Sequence, residues 1–309
     1  ENMLAIDGGD RVRRDAFPKR RLFGEGERDA AIRLFDQALL SGDAIGYGGV
    51  EEQAYEHEFA EFMGGGYADL VNSGTCALYV ALGALRLPVG GEVVVPPITD
   101  PGGAMPVALL CQVPVVPDAV EGSFNTSAEK VEAVLSPHTR AIIIAHIAGE
   151  PVDMDPILEL AKARGIPIVE DCAQAHGALY KDNIVGTLGA IAAYSTMSGK
   201  HHATGPQGGV VFTRDEELLW EARRFADRGK PFNVEATSNV RAGLNLNGNE
   251  LAAAIGRTQL QRLPGAIHRR RQVAHQIQKA IGGLRAVRPG REAGGDGGVY
   301  WFMRFCVDE

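Results

Sequence analysis

The stretch from Ile166 to Lys200 pairs an acid with an amine. The apolar run Ile166-Pro-Ile-Val169 ends in Glu170-Asp171-Cys-Ala-Gln174, and a second apolar run leads into Ser195-Thr-Met-Ser-Gly-Lys200. An ionised carboxylate in an apolar stretch is costly unless it is paired. A protonated pyridine nitrogen would pair with Asp171, and the carboxylate would raise that nitrogen's pKa and make the ring an electron sink. Lys200 could form a Schiff base with the same cofactor, given a desolvated or cation-rich setting that removes its proton near neutral pH. Together the two residues are what a pyridoxal phosphate site requires. On these residues alone, a structural ion pair for Asp171 and a surface turn for Lys200 remain open. The neighbouring His201 and His202 could help to depress the lysine. A metal there is disfavoured, because consecutive side chains diverge and no carboxylate or cysteine stands at ligand spacing.

A third component lies upstream. Asn72-Ser73-Gly74-Thr75 stands between a strand-like run and the helix beginning Cys76-Ala77-Leu78. Such a helix start offers unpaired N–H groups and a positive dipole end to a phosphate, and the Thr75 hydroxyl adds a donor. An ordinary N-cap is the alternative.

The elements that must position these residues alternate along the chain. Helical spacing over Thr75 to Leu87 precedes a short strand at Glu92-Val-Val-Val. Met105 to Cys111 reads as helix, Val113 to Val116 as extended, Ser127 to Leu135 as helix and Ala141 to His146 as strand. Asp155 to Arg164 reads as helix, Ile166 to Val169 as strand, Gly208 to Thr213 as strand and Asp215 to Asp227 as helix. Continuous apolar strands alternating with amphipathic helices predict an α/β fold, a mostly parallel central sheet with helices on both faces. Ligands in such sheets bind at the carboxyl ends of strands, where Asp171 falls.

Upstream, an amphipathic helix carrying Ile32, Leu34, Phe35, Ala38 and Leu39 is followed by the glycine-rich loop Ser41 to Gly49, which either borders a ligand or is a turn. Downstream, Glu250 to Leu263 and a basic stretch from about His268 to Ile281 read as helices. A glycine-rich linker over 290–298 leads to a strand-like run, Val299 to Val307, with no visible partner. The division expected is a large cofactor-binding domain, 1–265 with its N-terminal segment, and the start of a small C-terminal α+β domain, 266–309, that reads as incomplete.

Composition bounds the function. The 309 residues are 45% hydrophobic and 23% charged with a net charge of −8, an ordinary globular composition that argues against nucleic acid as the main partner. The cluster Arg269-Arg270-Arg271 reads as a solvated helix face. No apolar stretch approaches the roughly 20 residues of a membrane helix and no signal-peptide pattern opens the chain, so the expectation is cytoplasmic, without a membrane partner. Cys76, Cys111, Cys172 and Cys306 show no CxxC spacing and read as buried thiols.

The chain resembles the DegT/DnrJ/EryC1/StrS sugar aminotransferases, fold type I pyridoxal phosphate enzymes. The likeness is carried by Asn72-Ser-Gly-Thr75, Asp153-Met-Asp155, Glu170-Asp171-Cys-Ala-Gln174-Ala-His176-Gly177, Ser195 with Lys200, Gly208-Gly209-Val, and Gly243-Leu-Asn245 with Glu250 and Ala253-Ala-Ile-Gly256. The resemblance implies pyridoxal 5′-phosphate as cofactor, Lys200 as its covalent anchor and proton shuttle, and Asp171 on the pyridine nitrogen. It further implies Gln174 at the 3′-oxygen side, Gly74, Thr75 and Ser195 on the phosphate, and Asn245 reaching the phosphate from the neighbouring subunit of a homodimer with shared sites. The implied reaction is ping-pong transfer from glutamate or glutamine to a keto-sugar or keto-cyclitol. Relatives that act as dehydratases place histidine where Lys200 stands.

Three positions depart from the family pattern. An aromatic residue that covers the cofactor ring commonly follows Pro-x-Thr, whereas Asp100 follows Pro97-Ile-Thr99, so Asp100 is expected to touch cofactor or substrate. The usual Gly-Glu-Gly-Gly reads Gly205-Pro-Gln207-Gly-Gly209. An arginine often found two positions beyond the Asn245 equivalent is Asn247.

Overall fold

A computed structural model describes residues 3–290, 294–295 and 297–307. Two helices open the fold, α1 (Glu25–Ser41) and α2 (Val50–Phe62), followed by β1 (Tyr67–Val71), α3 (Gly74–Ala84), β2 (Glu92–Val94), α4 (Met105–Leu109) and β3 (Val113–Val115). The chain continues through α5 (Ala128–Glu132), β4 (Thr139–Ala145), α6 (Met154–Arg164) and β5 (Ile168–Asp171). After a small hairpin of β6 (Leu179–Tyr180) and β7 (Asn183–Ile184) come β8 (Ile191–Ser195), β9 (Gly209–Thr213) and α7 (Glu216–Ala226). The long α8 (Glu250–Ile281) leads to β10 (Val287–Pro289) and β11 (Phe305–Val307).

Seven strands form the central sheet in the order β1-β9-β8-β5-β4-β2-β3. Strands β8, β5, β4, β2 and β3 run parallel, while β9 is antiparallel to both neighbours. Two antiparallel pairings restore direction, so β1 points the same way as β5 and β8. The carboxyl ends of these three strands, carrying Val71, Asp171 and Ser195, therefore share one sheet edge.

The apolar strands are buried on both faces. Ile142 and Ile144 of β4 pack into one core with Phe59, Tyr194 and Phe212, and Ala141 and Ile143 pack into the other with Val80, Leu82 and Val211. That division follows the alternation of a strand and explains why the strands read as unbroken apolar runs.

Several expectations are corrected. The apolar side of α1 faces outward: Ile32, Phe35, Leu39 and Leu40 are exposed, and the helix buries Glu27 and Ala30 instead. Helix α2, absent from the sequence reading, takes the interior place, because Tyr55 and Phe59 lie fully buried beneath the sheet. The two downstream helices are one, with Pro264 inside it. Its packing against α1 and α2 keeps it continuous past a residue that lacks an N–H. The last strand has a partner, since β11 pairs antiparallel with β10. It also begins later than expected, because residues 297–301 hydrogen-bond to loops of the main body instead. Part of the expected 290–298 linker lies outside the described residues. Of the four cysteines expected to be buried, Cys172 is; Cys76 and Cys306 are half-buried and Cys111 is exposed, at a turn with φ 56° after α4, and all four are free thiols.

Candidate active site

The shared sheet edge holds a cavity of about 280 Å³. Its walls include Ser73, Gly74, Thr75, Asp100, Gly102, Asp171, Ser195, Lys200 and Gln207. Six residues singled out in the sequence, Gly74, Thr75, Asp100, Asp171, Ser195 and Lys200, thus meet in one place.

The cradle side is built by close backbone approach. The Ser73 Oγ caps α3 by accepting the Cys76 N–H at 3.1 Å, which leaves the Gly74 and Thr75 amides in the first turn without intrahelical acceptors. A methyl group on Gly74 would lie 2.5 Å from the Ser195 Cβ, and one on Gly102 would lie 2.4 Å from the Thr75 Oγ1. Glycine is required at both places so that α3, β8 and the 100–103 turn can converge. Asp100 caps that turn, its Oδ1 accepting the Gly102 N–H at 2.9 Å.

Asp171 and Lys200 occupy the other side. Asp171 accepts the Ala173 N–H at 3.0 Å. Burial raises its pKa, against the pull of the Ala173 amide and of Lys200. Lys200 is 7% exposed, and burial lowers the pKa of its amine despite the opposing charges of Asp171 and Asp100. A buried amine with a depressed pKa is what imine chemistry demands.

The turn bearing Lys200 is clamped from both ends of the chain. Arg20 donates to the Gly199 and Lys200 carbonyls, and the Trp301 indole N–H donates to the Gly199 carbonyl at 2.9 Å. Beneath the turn, His176, His201 and His202 are buried with ring centroids 5.3–5.7 Å from His176 to the other two. His202 Nε2 meets the Tyr55 hydroxyl at 2.7 Å and His201 Nε2 donates to the Val299 carbonyl at 3.1 Å. Burial first, and neighbouring positive charge second, hold His201 down to about 3; burial alone takes His202 to about 3.

Two expected residues stand outside the cavity. The Gln174 Oε1 accepts the Ala148 N–H at 2.7 Å. Asn245 is exposed at the surface, accepting the Asn247 side-chain amide at 2.8 Å. Sequence reasoning missed Arg20 and Trp301, which no local pattern marks. The basic run of α8 is also more than a solvated face: Arg270 donates to the Tyr300 carbonyl at 2.8 Å and Arg271 to the Gly298 carbonyl at 2.9 Å.

Among the described residues, His146, Glu170 and Cys172 form the one group with metal-ligand spacing. Its lone pairs are committed elsewhere. The His146 Nδ1 accepts the Val152 N–H at 3.1 Å, so Nε2 carries the proton and donates to Glu170. Burial holds the Cys172 thiol protonated.

A mostly parallel sheet with a glycine-shaped helix start, a carboxylate and a buried lysine of lowered pKa at its carboxyl edge is the arrangement of a fold type I pyridoxal phosphate enzyme. Over residues 27–307 the sequence matches the DegT/DnrJ/EryC1/StrS aminotransferase family, to which the chain belongs. It is 34% identical over 251 residues to GDP-perosamine synthase of Escherichia coli O157:H7, covering 81% of this chain and 68% of that protein. It is 31% identical over 293 residues to L-glutamine:2-deoxy-scyllo-inosose aminotransferase of Micromonospora echinospora, covering 91% and 69%. The crystal structure of 3-amino-5-hydroxybenzoic acid synthase superposes with a TM-score of 0.86 at 30% identity, over 94% of this chain and 76% of that one. The cofactor is pyridoxal 5′-phosphate, and the chain is an aminotransferase of this family. Among the described residues, no helix is long and apolar enough to cross a membrane.

Proposed function

We propose that the chain moves an amino group from glutamate or glutamine to a keto group of a nucleotide-linked sugar or a cyclitol, in a ping-pong cycle. The observation that carries this reading is the convergence of Asp171, Lys200 and the Gly74 cradle on one cavity. The names of the relatives, one a GDP-sugar synthase and one a cyclitol aminotransferase with glutamine as donor, supply the substrate classes.

In this reading Gly74, Thr75 and Ser195 bind the phosphate, and Asp171 keeps the ring nitrogen protonated. The bound cofactor supplies an electron sink for the bond-breaking step. Lys200 would anchor it covalently and then, as a free amine at Nζ, would carry the proton between the substrate carbon and the cofactor C4′. Burial lowers its pKa and so favours the base form of the amine. A lysine here also favours transfer over the dehydration performed by relatives with histidine at this position. Asp100 faces the same cavity and touches cofactor or substrate, while Gln174 acts through the Ala148 amide.

Shared sites in a homodimer complete the proposal. The exposed apolar side chains of α1 and the exposed Asn245 supply surfaces for a second copy, Asn245 reaching the partner's phosphate. Residues 1–265 act as the cofactor domain and 266–309 belong to a smaller C-terminal one, with α8 running across the boundary.

The test is a two-step titration of the cofactor-loaded full chain. Glutamate or glutamine should bleach the visible absorbance of the lysine-bound cofactor with release of the matching keto acid. A nucleotide-linked keto-sugar or keto-cyclitol should then restore it. Absence of bleaching with every amino donor would sink the proposal. Mixing Lys200→Ala with Asn245→Ala chains should recover activity that neither has alone if the sites are shared.

A further inference from the structure

The Lys200 Nζ lies 3.9 Å from the centroid of the Trp301 ring, over its face. We infer that Trp301 is a positioning residue that holds the Lys200 amine whenever it is not attached to the cofactor, favouring the proton-loaded form through its π face. The inference rests on Lys200 being the reacting amine.

Trp301 is fixed from several directions. Its indole N–H donates to the Gly199 carbonyl and its backbone N–H donates to the Ala148 carbonyl at 2.7 Å. Ala148 sits at φ 64°, a conformation disfavoured for a residue with a Cβ, and the Gln174 side chain accepts its N–H at 2.7 Å. Gly149 beside it has φ 83°, and a methyl group there would lie 2.7 Å from the Gln174 carbonyl, 2.9 Å from the Val299 Cγ2 and 3.1 Å from the Trp301 nitrogen. The loop after β4 is thus shaped to receive residues 299–301. Arg270, Arg271 and His201 hold the same segment through the carbonyls of Tyr300, Gly298 and Val299, and the buried pair Arg304–Glu150 anchors it beyond. This much constraint aims one indole at one amine.

The chemistry gives the placement a purpose. During transfer the amine must accept a proton and give it back, in a cavity where burial disfavours the ammonium. Asp171 and Asp100 face the amine across the cavity and favour the charged form; His176 and His201 lie beneath it and Arg20 binds its carbonyl. An aromatic face is a further source of cation stabilisation, and it is one that cannot itself take the proton.

Two measurements test this. The chain has two tryptophans, so a Trp220→Phe background isolates Trp301. In the cofactor-free full chain, Trp301 emission should titrate once with the amine, and the titration should vanish in Lys200→Met. His201 does not interfere near neutral pH, because burial holds its imidazole far below its ordinary range. Next, the pH dependence of pyridoxal phosphate uptake reports the amine's midpoint. Trp301→Leu should lower that midpoint by roughly half to one and a half pH units, and Trp301→Phe by less, because a weaker π face remains. An emission titration that persists without Lys200, or a Leu variant with an unmoved midpoint, overturns the inference. Neither readout depends on turnover, so failure of the proposed transfer reaction would show separately.

Discussion

Glu170 and Asp171 sit side by side at the end of β5 and point to opposite faces of the sheet. Glu170 accepts the His146 Nε2–H at 3.1 Å and the N–H groups of Gly186, Leu188 and Gly189 at 2.6–2.8 Å. Burial alone would push its pKa up, but His146 and these amides pull it below the ordinary carboxylate value. Asp171 accepts one backbone N–H and has its pKa raised by burial. The sequence places two acids together, and their partners divide them. One carboxylate is satisfied within the fold and holds the 186–189 turn to the strand, while the other faces the cavity with capacity to spare. Unspent hydrogen-bonding capacity at the cavity edge separates the acid proposed to bind the cofactor from the structural one.

That contrast can be broken most severely at the amine facing Asp171. Lys200→Ala should eliminate the visible band of the loaded chain and the keto-acid release with it; a band that survives would remove the lysine from its assigned place. Asp171→Asn should slow the amino-donor half-reaction on the order of 10²–10³-fold, the loss typical of one preorganised electrostatic partner. Its melting temperature should not fall, since the change removes a buried charge. Glu170→Gln should behave in the opposite sense. It breaks a buried charged network at a cost of about 3 kcal/mol, seen in denaturant melts, and leaves the folded fraction able to take up cofactor. Equal effects of the two substitutions on both readouts would erase the distinction.

Buried histidines sharpen the same point. His146 has both ring nitrogens engaged, whereas His176 has neither engaged and His201 and His202 one each. His201 and His202 are held near 3 against an ordinary value of 6.5. The unfolded chain therefore binds protons first, so stability is complete above pH 6.5 and falls as pH drops toward 3. One pH unit below 6.5, the loss should be on the order of 1 kcal/mol for each of these two residues. Replacing both with asparagine or glutamine should flatten that slope in pH-dependent unfolding.

The fold was legible because the short runs 141–145, 166–169 and 209–212 are apolar at successive positions, as strands covered on both faces are. The convergence of the proposed site was legible where its residues are local in sequence: Asp171 at a strand end, Gly74 at a helix start and Lys200 on its turn. The clamp on Lys200 was not. Arg20 and Trp301 reach it from opposite ends of the chain through backbone carbonyls, and such contacts leave no spacing to read. The sequence marks helix α1 but not the outward direction of its apolar side, for a related reason. Periodicity identifies an apolar face but says nothing of which surface it meets, and α2 already fills the interior place beside the sheet.

Asp171 carries the central assignment, and the ring nitrogen of the cofactor reports on it directly. In the full chain loaded with nitrogen-15 pyridoxal phosphate, the nitrogen resonance should show a protonated ring. Asp171→Asn should return it to the unprotonated position, and Glu170→Gln should leave it protonated. An unprotonated ring in the unaltered chain, or a resonance that follows Glu170 instead, would contradict the account.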